Sequence, residues 1–219
     1  AWIGRSKARS AAHRIADLNP HCRVEVHEVM LTIDNALELI RPYDVVCDGT
    51  DNFPSRYLIN DACVLLGKPL VYGSVQRFDG QVSVFNREPG RPDYRDLLPE
   101  PPPAGEVPSC AEAGVMGVLP GLVGLIQATE TIKVITGIGD PLDGRLLVVD
   151  GLSMRFRELR LDRDPARPEV KGLIDYSQFC RGEVASMDSI SVTALKELLD
   201  SGAEDVVLID VRNPSEADV

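Results

Sequence analysis

The sequence predicts an α/β fold with a mainly parallel sheet, followed by the start of a second α/β domain. Short apolar runs of strand length alternate with helical stretches over residues 2–161, an order typical of βαβ units. The apolar run at residues 43–47 ends in the polar stretch at residues 48–51, as expected where a buried parallel strand leads into a loop. With 219 residues, 44% of them apolar, the chain suffices for one buried core and part of another.

Each element follows from a local pattern. Within residues 2–19, Ser6 can cap a first helix on which small and apolar side chains share one face. Further helices are predicted at residues 34–41, 53–66 and 114–136. Strands are predicted at residues 23–29, 43–47, 69–72, 81–85, 145–149 and 155–161. Residues 87–108 are rich in Pro and Gly and predict a long loop that crosses the domain.

Three segments divide the chain. We expect residues 1–182 to form the first domain, residues 183–189 to be a linker and residues 190–219 to begin a second domain. That second part offers one predicted helix at residues 190–201 and one predicted strand at residues 206–211, too few elements to bury a core. Because the chain opens inside a helical pattern and stops abruptly, we expect it to be cut at both ends.

Composition narrows the classes of function. The net charge of −11, from 34 acidic and 23 basic residues, argues against nucleic-acid binding, which needs clustered Lys and Arg. The 5 cysteines are odd in number and scattered, unlike a secreted disulfide framework, which favours the reducing cytoplasm. The longest apolar stretch, residues 115–126, falls short of the roughly 20 residues that cross a bilayer. We expect partners that are proteins or small molecules.

The strongest chemical signal is the run Asp48-Gly49-Thr50-Asp51-Asn52-Phe53 after the strand at residues 43–47, followed on the next helix by Arg56, Asn60 and Asp61. In open α/β sheets ligands bind at the carboxyl ends of strands, so this acidic loop is well placed for Mg²⁺ or for a phosphate group. The alternative is that Asp51 only caps the following helix.

Three separated motifs resemble one enzyme family. They are DGTDNFPSRYLINDAC at residues 48–63, YGSVQRFDGQVSVF at residues 72–85 and PEPPPAGEVPSCAEAGVMGVLPGLVGLIQATETIKVI at residues 99–135. In this order they resemble the E1-like adenylyltransferases that activate sulfur carriers for molybdopterin and thiamine synthesis, in particular the subgroup with a C-terminal rhodanese domain. The resemblance covers residues 2–180, with the rhodanese part from residue 190 onward. It implies a Rossmann-like sheet.

The resemblance also implies residue roles. Asp51 and Asn52 would contact ATP, and Asp51 would hold its Mg²⁺. Lys7 would be a catalytic, phosphate-contacting lysine, since an ammonium near the α-phosphate offsets charge that develops during attack; the alternative is a solvated surface lysine. Arg56 would be a second phosphate or carrier contact, with a helix-surface salt bridge as its alternative.

Cys110 is the second candidate catalytic residue. It lies after the proline-rich stretch and shortly before a predicted helix start, where N–H groups and the helix dipole would favour a thiolate. The resemblance implies that it forms a thioester or an acyl-disulfide with the activated carrier. Cys47 and Cys63 lie in apolar runs and are expected to be buried and structural.

The implied reaction is ATP-dependent adenylylation of the C-terminal glycine of a ubiquitin-like sulfur carrier ending in Gly-Gly, followed by sulfur transfer to give a thiocarboxylate. The implied enzyme is a homodimer with a cysteine desulfurase as sulfur donor. The alternatives are a non-catalytic scaffold that binds the carrier, or a nucleotide-dependent dehydrogenase.

Two departures from the family pattern have consequences. Asp93 and Asp96 stand where many members have a zinc-binding Cys-x-x-Cys pair, so we expect no zinc. The glycine-rich nucleotide loop of the family is not among these residues, and neither is the rhodanese cysteine. We therefore expect this fragment alone to be inactive.

Overall fold

A computed structural model describes residues 3–103 and 114–181, together with Thr193, Lys196 and Asp200. By its internal contacts the chain separates into two units, Ala1–Gly182 and Glu183–Val219. In the second unit, Thr193, Lys196 and Asp200 are helical and exposed. The remainder of the helix predicted at residues 190–201 and the strand predicted at residues 206–211 lie outside the described residues.

The first unit is built on one sheet of five strands in the order β1-β2-β3-β4-β5. The strands are β1 (Val46–Asp48), β2 (Leu70–Gln76), β3 (Asp79–Phe85), β4 (Arg145–Asp150) and β5 (Arg155–Arg160). The predicted α/β class is confirmed. The sheet is mixed, however: β1 and β2 are parallel, whereas the other three pairings are antiparallel.

Connection length explains the strand directions. β1 and β2 are joined through a helix, the crossover that a parallel pair requires. β2 and β3 are joined by only Arg77 and Phe78, and Arg77 has a φ of 50°, so the chain turns back in a tight hairpin. The sequence pattern locates the strands, but it does not show which connections are hairpins.

Six helices are described in the first unit. They are α1 (Lys7–Leu18), α2 (Ala36–Ile40), α3 (Phe53–Leu66), α4 (Tyr94–Leu97), α5 (Leu119–Thr136) and α6 (Tyr176–Arg181). Helices α3 and α5 end at Gly67 and Gly137, whose φ angles are 61° and 70°, the left-handed conformation that terminates helices. Among these described helices, none has the length and apolarity needed to cross a membrane.

Two apolar clusters divide the core between the faces of the sheet. Consecutive residues of a strand point to opposite faces, and β2 shows this directly. Leu70 and Tyr72 pack with α3 residues such as Tyr57, whereas Val71 packs with Val123 of α5. The sheet therefore lies between α3 and α5, and both helices reach the carboxyl end of β1.

Of two predictions near the start of the described chain, the strand fails and the helix is confirmed. Residues 23–29 form no strand, and their side chains are exposed, because alternation supplies strand propensity but not a hydrogen-bonding neighbour. Helix α1 is capped by Ser6, which accepts a hydrogen bond from the Arg9 N–H at 3.3 Å. None of its residues is buried, and Ile15 and Leu18 are exposed.

Candidate functional site

The loop that follows β1 is organised by the buried carboxylate of Asp48, which is 1% exposed. One carboxylate oxygen accepts a hydrogen bond from the Thr50 N–H at 2.7 Å, closing a turn of the Asx type. Burial raises the pKa of Asp48, against the opposing effects of the hydrogen bond from the Thr50 N–H and of the Arg56 charge. Asp48 therefore shapes the loop without facing solvent.

Arg56 holds the same loop from α3. Its Nη2 donates to the Thr50 carbonyl at 3.0 Å, and its guanidinium lies 5.5 Å from the centre of the Tyr72 ring. Arg56 is only 9% exposed and forms no ion pair with any described residue, so the surface salt bridge considered from the sequence is wrong. Direct contact with a phosphate stays a prediction.

Two polar atoms of this region have no partner among the described residues. They are the Oγ1 of Thr50 and the Nε of Arg56, both buried. An unpartnered buried donor is costly, and a bound water, ion or ligand is one way in which such an atom is satisfied. The loop thus retains unused hydrogen-bonding capacity.

Asp51 and Asn52 have different roles at the start of α3. Asn52, not Asp51, is the N-cap residue: its side-chain oxygen accepts from the Ser55 N–H at 3.0 Å. The interpretation of Asp51 as a mere helix cap is therefore wrong. Asp51 is exposed, and its nearest described polar contact is the Asn52 Nδ2 at 3.5 Å, so its carboxylate is accessible at the carboxyl end of β1.

The remaining predicted site residues are not brought to this loop by the described contacts. Lys7 is the exposed first residue of α1, and no described contact joins it to residues 48–52. Cys110 lies outside the described residues. The part of the site that the structure defines is therefore the loop with Asp51, Asn52 and Arg56.

Burial separates the other cysteines. Cys63 is buried, as predicted, and burial raises the pKa of its thiol to about 12, so it is not a thiolate at neutral pH. Cys47 is exposed, which contradicts the prediction of a buried residue.

The sequence grouped Asn60 and Asp61 with the loop after β1, whereas the structure places them in a buried polar network beneath α3 and α4. Arg95 binds the Asp61 carboxylate through two hydrogen bonds of 2.8 and 2.7 Å, and the Tyr176 hydroxyl donates to the same carboxylate at 2.7 Å. Asn60, fully buried, accepts from the Tyr94 N–H at 2.8 Å. The only sequence signal was the presence of polar residues on the apolar face of α3, a pattern that marks buried networks.

Asp93 and Asp96 belong to a second cluster. They form a capping box at the start of α4, and both carboxylates are bound by Arg167, from its Nε to Asp96 at 3.0 Å and from its Nη2 to Asp93. An arginine thus connects the two positions at which the family pattern places zinc ligands. Within residues 3–103 and 114–181, no group of His, Cys, Asp and Glu side chains could hold a metal ion by itself.

The ThiF family model matches residues 1–170. The chain belongs to the ThiF family. This confirms the resemblance stated from the sequence motifs, since the matched region includes the loop with Asp51 and most of the described fold.

Curated ThiF-family relatives are named for adenylyltransferase and sulfurtransferase activities. The Mycobacterium tuberculosis protein MoeZ, named as an adenylyltransferase/sulfurtransferase, is 49% identical over 100% of this chain and 58% of its own length. The sulfur carrier protein adenylyltransferase of Thermus thermophilus is 53% identical over 81% of this chain and 69% of its own length. The chain thus spans little more than half the length of the MoeZ relative.

Solved structures show the same fold at low identity. E. coli MccB with ATP has a TM-score of 0.63 and 13% identity, covering 75% of this chain and 50% of that one. PaaA has a TM-score of 0.59 and 18% identity over 74% of this chain and 49% of that one. The predicted Rossmann-like fold is therefore confirmed, and these two likenesses concern the fold alone.

Proposed function

We propose that the full-length protein containing this chain adenylylates the C-terminal glycine of a ubiquitin-like sulfur carrier and couples this step to sulfur transfer. The exposed carboxylate of Asp51, on a loop fixed by Asp48 and Arg56 at the carboxyl end of β1, is the observation that supports it best. The names of the ThiF-family relatives point to the same reaction.

In this reaction a carboxylate oxygen of the carrier attacks the α-phosphorus of ATP, and the bond to the β-phosphate oxygen breaks to release pyrophosphate. The Cys110 thiolate then attacks the acyl-adenylate carbonyl and displaces AMP to give a thioester, and a persulfide sulfur in turn attacks that thioester and displaces the Cys110 thiolate. The resulting acyl-disulfide is reductively cleaved by a thiol to the thiocarboxylate. The carrier carboxylate is already a nucleophile, so the first step depends on positioning and on charge neutralisation.

Mg²⁺ and ATP fit the residues present. Carboxylate oxygens are the ligands that Mg²⁺ prefers, usually one or two from protein with the rest from phosphates and water, and Asp51 offers such a group. The unpartnered Thr50 Oγ1 and Arg56 Nε support a phosphate contact nearby. When bound, Mg²⁺ would neutralise phosphate charge, while Asn52 would contact the nucleotide and Lys7 the α-phosphate.

The wider assignments accompany this proposal. We place the enzyme in the cytoplasm as a homodimer that receives sulfur from a cysteine desulfurase, and we propose that it holds no zinc. Cys110 would form the covalent bond to the carrier.

Replacement of Asp51 tests the first step. In the full-length protein, Asp51→Ala should lower carrier-dependent ATP–pyrophosphate exchange by about 100-fold or more, the usual effect of losing a group that stabilises transition-state charge. Asp79→Ala is the matched control, because Asp79 is an exposed aspartate on the β2–β3 hairpin. Near-normal exchange in Asp51→Ala would refute the assignment. Wild-type protein that binds a Gly-Gly carrier without any exchange would instead be a scaffold.

Replacement of Cys110 separates the two steps in the same assays. Cys110→Ser should leave pyrophosphate exchange largely intact and should sharply lower thiocarboxylate formation, since a hydroxyl forms neither a disulfide nor a reactive thiolate. Survival of both activities would mean that sulfur passes to the adenylate without Cys110, and loss of both would assign its segment a structural role.

A further inference from the structure

Gln127 connects α5 to the end of β1. Its side-chain Nε2 donates one hydrogen bond to the Asp48 carbonyl at 2.7 Å and another to the Val71 carbonyl at 3.2 Å. The residue is 7% exposed, on the face of α5 that packs against the sheet. A side-chain amide nitrogen has two N–H donors, so one group cross-links the two strands of the parallel pair β1–β2.

Gly73 provides the space for this amide. A Cβ atom added at Gly73 would lie 2.2 Å from the Gln127 Cδ, 2.4 Å from its Oε1 and 2.5 Å from its Nε2. The φ of Gly73 is not in the left-handed region, so glycine is needed here for room and not for backbone conformation. An alanine at this position would displace the Gln127 amide, which is the flexible end of a long side chain.

The location gives the contact a consequence for the loop. Asp48 is the last residue of β1, and the loop with Asp51 starts directly after it. Asp48 fixes the loop through its carboxylate, which accepts the Thr50 N–H. Arg56 fixes it from α3 by donating to the Thr50 carbonyl. Gln127 is the anchor that α5 supplies, and it acts on the backbone carbonyl at the point where the loop leaves the sheet.

We propose that Gln127 is a positioning residue for adenylylation: it fixes the carboxyl end of β1 so that the loop holds Asp51 in the geometry that binds Mg²⁺ and ATP. This inference rests on the proposed function. Misplacement of a reacting group by about 1 Å can lower a rate by about 100-fold, so loss of a backbone anchor is sufficient to impair catalysis without removing any group that touches the substrate.

Gln127→Met is the main variant, because methionine has a similar length but no donor. In the full-length protein we expect the KM for ATP in pyrophosphate exchange to rise by about 10-fold or more and amide hydrogen exchange of residues 49–52 to accelerate. A side chain that served only to fill space would leave both quantities at wild-type values.

Gly73→Ala should reproduce the Gln127→Met effects, since it pushes the amide away from the two carbonyls. The double variant should be no worse than either single variant, because residues that act through one interaction are not additive. Gly80→Ala is the matched control: its Cβ would lie 2.5 Å from Cγ2 of Val123 on the same helix. Gly80→Ala should lower the stability of the fold without changing the KM for ATP or the amide hydrogen exchange of residues 49–52.

The inference would be overturned if Gln127→Met kept the wild-type KM for ATP and the wild-type amide hydrogen exchange of residues 49–52. It would also be overturned if Gly80→Ala changed these two quantities as much as Gln127→Met does. The hydrogen-exchange measurement needs no catalysis. Absence of ATP–pyrophosphate exchange in the wild-type protein would therefore refute the proposed function. Faster amide hydrogen exchange of residues 49–52 in Gln127→Met would still show that Gln127 anchors the loop.

Discussion

At the residue scale, the candidate site depends on a carboxylate that never reaches the substrate. Asp48 is buried beside Arg56, and its pKa is raised mainly by burial. A raised pKa means that folding favours the protonated form, so ionised Asp48 lowers the free energy of unfolding at neutral pH. The group is tolerated because it accepts the Thr50 N–H and shapes the loop.

Asp48→Asn tests this balance. The amide oxygen can still accept from the Thr50 N–H but carries no charge. The contribution of wild-type Asp48 is fully present below the ordinary Asp pKa near 4 and is lost as the pH rises through its raised value. The stability of Asp48→Asn relative to wild type should therefore increase from about pH 4 to pH 7, as measured by urea unfolding at each pH. A relative decrease over this range would show that Arg56 stabilises the ionised form.

The loop also shows how far sequence alone determines a site. The position of Asp51 after a buried strand was readable, because an apolar run and a following acidic turn are local patterns. The N-cap role of Asn52 and the buried position of Arg56 depend on the path of α3 over Tyr72. Gln127 was unpredictable for the same reason, since its partners Asp48 and Val71 are distant in sequence.

At the scale of elements, α4 is connected to residues 161–172 by an ionic cluster. Arg167 has a side chain only 10% exposed, against 6% for Asp93 and 0% for Asp96. Buried charges are tolerated when they are paired and hydrogen-bonded. The cluster gives this chain a physical alternative to a zinc ion as a link between the two segments.

Arg167→Met should therefore lower the free energy of unfolding by about 3–5 kcal/mol, since it leaves two buried carboxylates without a counter-charge. The exposed Arg163 offers the control variant Arg163→Met, with an expected change within about 0.5 kcal/mol. Elemental analysis of the purified wild-type protein completes the test. Stoichiometric zinc, or equal stability of the two variants, would show that the cluster is not the link.

Elements were predicted unevenly. Helices α3 and α5 and all the strands of the described sheet lie close to their predicted places. Their apolar periodicity, and the glycines that end the two helices, are local sequence patterns. Strand direction was wrong for most pairings, since it depends on whether a connection is a hairpin or a crossover. Residues 23–29 have the alternation of a strand but no strand partner among the described residues.

At the scale of the whole molecule, an apolar face on α5 is the feature that favours a homodimer. The longest apolar stretch of the sequence, residues 115–126, is partly core, because Leu119 and Val123 are 1% and 3% exposed. The exposed face runs instead through Leu125, Ile132 and Ile135, which are 70%, 56% and 66% exposed. Together with Gly121 and Ala128, these residues follow the alternating spacing of four and three residues by which one helix packs against another. The same face on a second copy of the chain would be complementary to it in a two-fold symmetric dimer.

If the full-length protein forms the proposed dimer through this face, Leu125→Glu should convert it to a monomer at micromolar concentration, as measured by sedimentation velocity. A buried unpaired carboxylate at the centre of the seam would be too costly to retain. Leu152→Glu is the control, because Leu152 is 69% exposed and lies between β4 and β5. A wild-type monomer would contradict the proposed dimer, and a dimer disrupted by Leu152→Glu alone would place the interface elsewhere.

The lengths of the connections between the strands also bear on the order in which the sheet can assemble. β2 and β3 are separated by a two-residue turn, so their pairing closes a very short loop and can form within microseconds. β3 and β4 become neighbours only when the long chain between Phe85 and Arg145 has been brought back, and β1 joins β2 only through α3. Loop-closure entropy makes such distant contacts late. We therefore expect the hairpin β2–β3, which includes the glycine that makes room for Gln127, to pair first and the rest of the sheet to be added on either side.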